Sequence, residues 1–297
     1  MIETFGFSFL TILVLSLLLR KPLYKLWDER ACQSYSVDYT KKLTVPTDLK
    51  EVKLLILGDT GSGTVNQKQV SQSSLSTCEE KGCHLVILTG DNFIQSGVAC
   101  IEDEQWVSKF ESMYDHNLPF FVILGNHDLK GNWRAQLDYS KISERWNMPS
   151  TNYDFEAGPV TFQAINTTCS IKSLWRLFRK SNKPWRVALG HHPAISSGRH
   201  GGMTWLERFL VSKSGINFFV SGHNHVLEHL EYGGFDQIVS GGGGSPIENS
   251  TKPRLPNNRF FKEDFGYIWG CMTENRASFS YFDIRGKEIY RFEKSKK

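Results

Sequence analysis

The chain has 297 residues, 40% hydrophobic and 22% charged, a composition that supports one large core or two modest ones and excludes a wholly disordered polypeptide. Its formal net charge of +4 comes from scattered Lys and Arg rather than a basic cluster, so no nucleic acid is expected as a partner.

In chain order, the first feature is the run Phe5–Leu19, which carries no charge. As a helix it would rise roughly 22 Å at 1.5 Å per residue. Extension over Ile2–Tyr24, with Arg20 and Lys21 reaching for headgroups, brings it to the roughly 30 Å of a bilayer core. Glu3 precedes the run and Arg20-Lys21-Pro22 follows it, opposite to the charge order of a cleavable signal peptide. The reading is an uncleaved transmembrane anchor at 1–27, with a polar linker at 28–50. Arg20, Lys21 and Lys25 behind the run favour the cytoplasmic face for the remainder, with the extracytoplasmic side as the alternative.

Short continuous apolar runs follow at Lys53–Leu57, Leu85–Leu88, Phe120–Leu124, Val187–Leu189 and Phe218–Val220. Each closes on Gly, Ser or Thr and then Asp, Asn or His. Such runs between amphipathic stretches predict buried strands of α/β units. Helices are expected at Val65–Glu80, Glu102–Tyr114, Trp133–Arg145 and Ile171–Arg179, and further sheet at Phe235–Ser240 and Ser278–Ile284. A single catalytic domain, 51–293, accommodates them all. The six cysteines, Cys32, Cys78, Cys83, Cys100, Cys169 and Cys271, permit disulfides that a chain of this length does not need. Free or buried thiols are expected.

One chemical address recurs at five strand ends: Gly58-Asp59, Gly90-Asp91-Asn92, Gly125-Asn126-His127-Asp128, Gly190-His191-His192-Pro193 and Gly222-His223-Asn224-His225. Open α/β sheets place their sites at such carboxyl ends. Carboxylate, amide oxygen and imidazole are the donors that borderline divalent metals accept, and one carboxylate can bridge two ions. A glycine before each donor lets the backbone turn tightly over the site. Gly58–Gly63 lacks the Gly-Lys-Ser/Thr ending of a P-loop.

Taken in this order, the segments resemble the calcineurin-like metallophosphoesterase superfamily, and within it the small purple acid phosphatases of the tartrate-resistant type. Asp91-Asn92-Phe93, Tyr139-Ser140-Lys141-Ile142-Ser143, Arg145-Trp146-Asn147 and Gly190-His191 with Pro193 carry the likeness, which spans about Val52 to Ile284. The resemblance implies an α/β (α+β) four-layer sandwich, two mixed β-sheets flanked by helices. It implies two divalent or mixed-valence metal ions, drawn from Fe, Mn and Zn. Asp59 and His225 would hold the first ion, Asp91 would bridge, and Asn126, His191 and His223 would complete the second. His127 would act as general acid with Asp128 orienting it, and His200 would face the substrate. The family's ligand tyrosine is replaced by Ile94, and the alternative histidine position of other members by Gly61.

The implied activity is hydrolysis of phosphate monoesters, small molecules or phosphoproteins, by a hydroxide held between the metals. A phosphodiesterase or nucleotide hydrolase on the same centre, and a non-catalytic membrane protein with a decayed domain, are the alternatives.

Overall fold

The computed structural model describes residues 36–37, 45–169 and 171–296. The anchor expected at 1–27 and most of the linker lie outside them; among the described residues no helix is long and apolar enough to cross a membrane. The first half runs β1 (Glu51–Leu57), α1 (Val65–Lys81), β2 (Leu85–Leu88), β3 (Phe120–Val122), α2 (Trp133–Tyr139), β4 (Trp146–Asn147), β5 (Tyr153–Ala157) and β6 (Val160–Ala164). A 3₁₀ helix, Ile171–Phe178, leads to β7 (Trp185–Leu189), α3 (Trp205–Lys213), β8 (Phe218–Ser221), β9 (Leu227–Tyr232) and β10 (Phe235–Ser240). Four strands close the chain: β11 (Asn258–Lys262), β12 (Gly266–Thr273), β13 (Arg276–Asp283) and β14 (Glu288–Ser295).

These strands form two seven-stranded mixed sheets, ordered β14-β13-β12-β1-β2-β3-β4 and β11-β9-β10-β8-β7-β6-β5. In the first, β1 through β4 are parallel neighbours; in the second, β6, β7, β8 and β10 are. Every residue of β2 and β8 is buried, as expected of central parallel strands. Rings from both sheets meet in the middle layer: Phe121 of β3 stacks on Phe155 of β5 at 3.8 Å, and Phe218 of β8 meets Phe279 of β13 at 4.9 Å. The architecture is two mixed β-sheets flanked by helices.

Three expected helices come out differently. Glu102–Tyr114 shortens to a helical stretch at 105–111, most of it the π-helical turn Val107–Glu111. Trp133–Arg145 stops at Tyr139, where Ser140 Oγ accepts Met148 N–H and Arg145 reaches back to the carbonyls of His116 and Glu111. Tertiary hydrogen bonding there outweighs local helix propensity. Ile171–Arg179 is wound as a 3₁₀ helix. Helix α3 was not anticipated, because only Val211 and Leu210 face the core while Trp205, Leu206 and Phe209 are exposed. The cysteine reading is corrected too: Cys78 and Cys83, at the end of α1 and just beyond Gly82, form a disulfide, and Cys169 is disulfide-bonded as well. Among the described residues Cys100 and Cys271 are free.

Candidate metal centre

The loops that leave β1, β2 and β8 all turn through left-handed backbone. Among the described residues, the non-glycine positions with positive φ are Asp59 (56°), Asp91 (54°), Gln95 (85°) and His223 (68°). Three of the four are candidate ligands, and such strain collects where the surroundings dictate a functional geometry. The preceding glycines leave room for this. A Cβ on Gly125 would sit 2.1 Å from Asp91 Oδ1, and one on Gly222 2.4 Å from Asp59 Oδ2. Phe93, fully buried and 4.7 Å from the Trp106 ring, anchors the Asp91 loop in an aromatic cluster.

Donor atoms of Asp59, Asp91 and His191, all buried, lie within 4.8 Å of one another. His191 Nε2 is 3.4 Å from Asp91 Oδ2 and 3.0 Å from Asn126 Oδ1. Its Nδ1–H donates to the Thr89 carbonyl at 2.9 Å. His225 follows the same plan, with Nδ1 2.7 Å from the Pro246 carbonyl and Nε2 3.5 Å from Asp59 Oδ1. In both, a backbone carbonyl fixes the tautomer and turns Nε2 toward a carboxylate, the second sphere that metal-ligating histidines have. His223 N–H donates to Asp59 Oδ2, and His127 N–H to Asp91 Oδ1, each at 2.8 Å. Asp59 Oδ1 is buried without any hydrogen bond. An orphaned buried carboxylate oxygen facing an imidazole is the arrangement a cation would complete, so the residues present fit a metal.

Electrostatics point the same way. Burial would raise Asp91, but His191 and the His127 N–H hold it down at about 2. Burial would lower His191 and His225, but Asp91 for the first and Asp59 for the second push each up to about 9. His223, buried among His192, His191, His200 and His225, is driven well below the usual imidazole range. Its ring lies 5.1 Å from that of His191, 4.3 Å from His192 and 4.8 Å from His200.

Asp59, Asp91, Asn126, His191, His223 and His225 are thus gathered at one edge. His127 stands beside them, its Nδ1 3.3 Å from the Gln95 carbonyl and 3.2 Å from Lys130 Nζ. Asp128, expected to orient it, does something else. Its buried carboxylate accepts the backbone N–H groups of Asn92, Phe93 and Gly125 and the side-chain amides of Asn92 and Gln136. It therefore ties the second and third loops together, and burial, then Asp91, push it up to about 7. His200 reaches the rim but bonds Glu248 at 2.7 Å, and Arg199 pairs with the same carboxylate at 3.4 Å. Sequence reasoning missed Lys130, Glu248 and His192. His192 was visible as half of a His-His pair; Glu248 sits in a loop with no pattern to mark it. At the first-ion side, Ile94 is half-buried, and a Cβ on Gly61 would lie 2.3 Å from the Asn92 backbone, which shuts out a histidine. Tyr153 spends its hydroxyl on Val122 O, and Tyr232 lies at the end of β9 remote from His225.

A two-sheet sandwich with carboxylates and imidazoles converging at its strand ends defines a metal-dependent phosphoesterase. The profile of the calcineurin-like phosphoesterases matches residues 52–227, and the chain belongs to that family, whose members hydrolyse phosphate ester bonds. Purple acid phosphatase 7 of Arabidopsis thaliana is 25% identical over 284 residues, which cover 83% of this chain and 87% of the relative. Tartrate-resistant acid phosphatase type 5 of Homo sapiens is 26% identical over 262 residues, 75% of this chain and 78% of its own. Two solved structures share the fold. GAP50, titled the anchor in the inner membrane complex of Plasmodium, superposes with a TM-score of 0.75 at 22% identity, over 84% of this chain and 90% of its own. The purple acid phosphatase PPD1 from yellow lupin (Lupinus luteus) seeds gives 0.66 at 16% identity, over 84% and 55%.

Proposed function

We propose that the chain hydrolyses phosphate monoesters at a dinuclear centre, with Asp59 and His225 at one divalent cation, Asn126, His191 and His223 at the other, and Asp91 between them. The observation that carries this is the orphaned Asp59 oxygen within a buried cluster of oxygen and nitrogen donors. Cations bound there supply Lewis acidity and lower the pKa of a coordinated water. The protein's share is positioning. The Thr89 and Pro246 carbonyls hold two imidazoles in register, and Asp128 locks the two loops that carry Asp91 and Asn126. His127 Nδ1 lies against the Gln95 carbonyl and Lys130 Nζ, and Nε2 is the nitrogen that would give a proton to the leaving alkoxide. His200 and Lys130 at the rim suit the substrate's phosphate, Lys130 as a point charge.

A second reading, a non-catalytic membrane scaffold, is favoured by one observation, the fold likeness to GAP50. Metal analysis of protein purified without added metal, followed by parallel assays on p-nitrophenyl phosphate and its bis-ester, separates the readings. We expect bound divalent metal and faster turnover of the monoester. Faster diester turnover points to a phosphodiesterase, and a chain that neither binds metal nor turns over either ester is a scaffold.

We further infer attachment to a membrane through Phe5–Leu19. The disulfides support the oxidising side of that membrane, against the bias of Arg20, Lys21 and Lys25 toward the cytoplasm. Protease digestion of intact cells or sealed vesicles separates the two sides.

A further inference from the structure

Every exposed tryptophan and phenylalanine among the described residues lies on two adjoining elements. Trp175 (58% exposed) and Phe178 (38%) project from the 3₁₀ helix, and Trp205 (69%) and Phe209 (50%) from α3, joined there by Leu206 (38%). Both elements cover the outer face of the second sheet, and their inward residues Leu174, Leu177 and Val211 share one small core cluster with Ala188 and Phe219. On α3 the spacing 205, 206 and 209 puts the apolar side chains on one stripe, and that stripe points to solvent. A surface helix normally turns such a stripe inward. Trp175 and Phe178, three residues apart on a 3₁₀ helix, also share a face, with ring centroids 5.4 Å apart. A contiguous patch of this composition marks an interaction surface.

Its border is cationic. Lys172, Arg176, Arg179 and Lys180 belong to or follow the 3₁₀ helix, and Arg208 and Lys213 lie on α3. Against these six stand Glu207, which closes the capping box with Thr204, and Asp154, which pairs with Arg176 and Arg179. Of the six cations, Lys172, Arg179, Lys180 and Lys213 are exposed, while Arg176 and Arg208 are half-buried. Lys213 Nζ lies 5.5 Å from the Phe209 ring. Aromatic side chains fringed by Lys and Arg are the chemistry of the bilayer interface, where rings settle at headgroup depth and cations meet lipid phosphates.

We propose that this face docks on the headgroup region of a phospholipid bilayer. The occupant is favoured over a protein by the cationic fringe, which complements lipid phosphates, and by the uncharged run Phe5–Leu19 in the same chain. An anchor at Phe5–Leu19 would hold the domain at high local concentration beside the lipid, so that even a weakly binding face docks.

Quenching of tryptophan emission by brominated lipid tests this on the full chain in phosphatidylcholine vesicles containing a minority of phosphatidylglycerol. Of the eight tryptophans, Trp106, Trp146 and Trp185 are fully buried, Trp133 is nearly so, and Trp269 is partly buried against the core. Trp175 and Trp205 should therefore contribute most of the quenched signal together with Trp27, beside the apolar run. The expected result is an about twofold or larger loss of quenching in Trp175→Phe/Trp205→Phe, with phosphatase activity in detergent unchanged. Equal quenching in wild type and variant overturns the proposal. So does a dimer in detergent that Phe209→Ser converts to monomer, which would assign the face to a second copy of the chain.

Discussion

The two sheets contribute opposite chemistry to one edge. From the first, the loops after β1, β2 and β3 deliver Asp59, Asp91 and Asn126, all oxygen donors. From the second, the loops after β7 and β8 deliver His191, His223 and His225, all nitrogen donors. Neither half can make the centre alone. The pairs that cross the gap, His191 with Asp91 at 3.4 Å and His225 with Asp59 at 3.5 Å, form only when the sandwich closes. The site is therefore a reporter of sheet docking, and the pKa shifts carry that signature: the carboxylate goes down because an imidazole faces it, and the imidazole goes up for the same reason.

The harshest way to break this division is on the oxygen side. Asp91→Asn keeps the shape but removes the charge that faces His191 and that would bridge the two cations. Hydrolysis should fall to near background and bound metal should drop, read by steady-state assay and metal analysis of the same preparation. Wild-type values for both would refute the assignment.

His127 is an imidazole carried by the oxygen-donating sheet, and it sharpens the comparison because its Nδ1 meets the Gln95 carbonyl and Lys130 rather than a carboxylate. If it serves the leaving group, His127→Ala should slow an alkyl phosphate by ~10²–10⁴-fold, the usual worth of a general acid. p-Nitrophenyl phosphate, whose phenolate departs with little help, should lose far less. Equal losses on the two substrates would move His127 to a positioning role.

The mildest expected change adds a donor instead of removing one. Ile94→Tyr would give the first sheet a phenolate in addition to its carboxylates. Iron-loaded variant protein should gain a broad visible absorption that the wild type lacks, with activity changing least of the three substitutions. A coloured wild type would mean that another phenolate already reaches the metal.

The donors were legible in the sequence because five of the six sit one residue after a glycine that closes a short apolar run, and His225 follows His223 by two in the same segment, a pattern independent of how the sheets dock. Strands such as Leu85–Leu88 were legible for the same reason. What the sequence could not show depends on partners far along the chain. Asp128 looked like a neighbour for His127, yet its five donors come from Asn92, Phe93, Gly125 and Gln136, three of them over 30 residues away or across a loop. The helix expected at Trp133–Arg145 is cut short by hydrogen bonds that local propensity does not register. Glu248 enters the rim only because the loop after β10 folds back over His200. Helix α3 escaped notice because an outward apolar stripe breaks the rule by which amphipathic helices are found.

The left-handed backbone at Asp59, Asp91 and His223 carries an energetic cost. An L-residue there costs about 1–2 kcal/mol that glycine would not. Three such positions hold a sum comparable to a sizeable share of the 5–15 kcal/mol that keeps an ordinary domain folded. The carboxylates themselves offset that cost: Asp91 faces His191 and accepts the His127 N–H, and Asp59 faces His225 and accepts the His223 N–H. The strained turns are therefore held by contacts that glycine could not make, and each loop keeps its shape only while its acid is present.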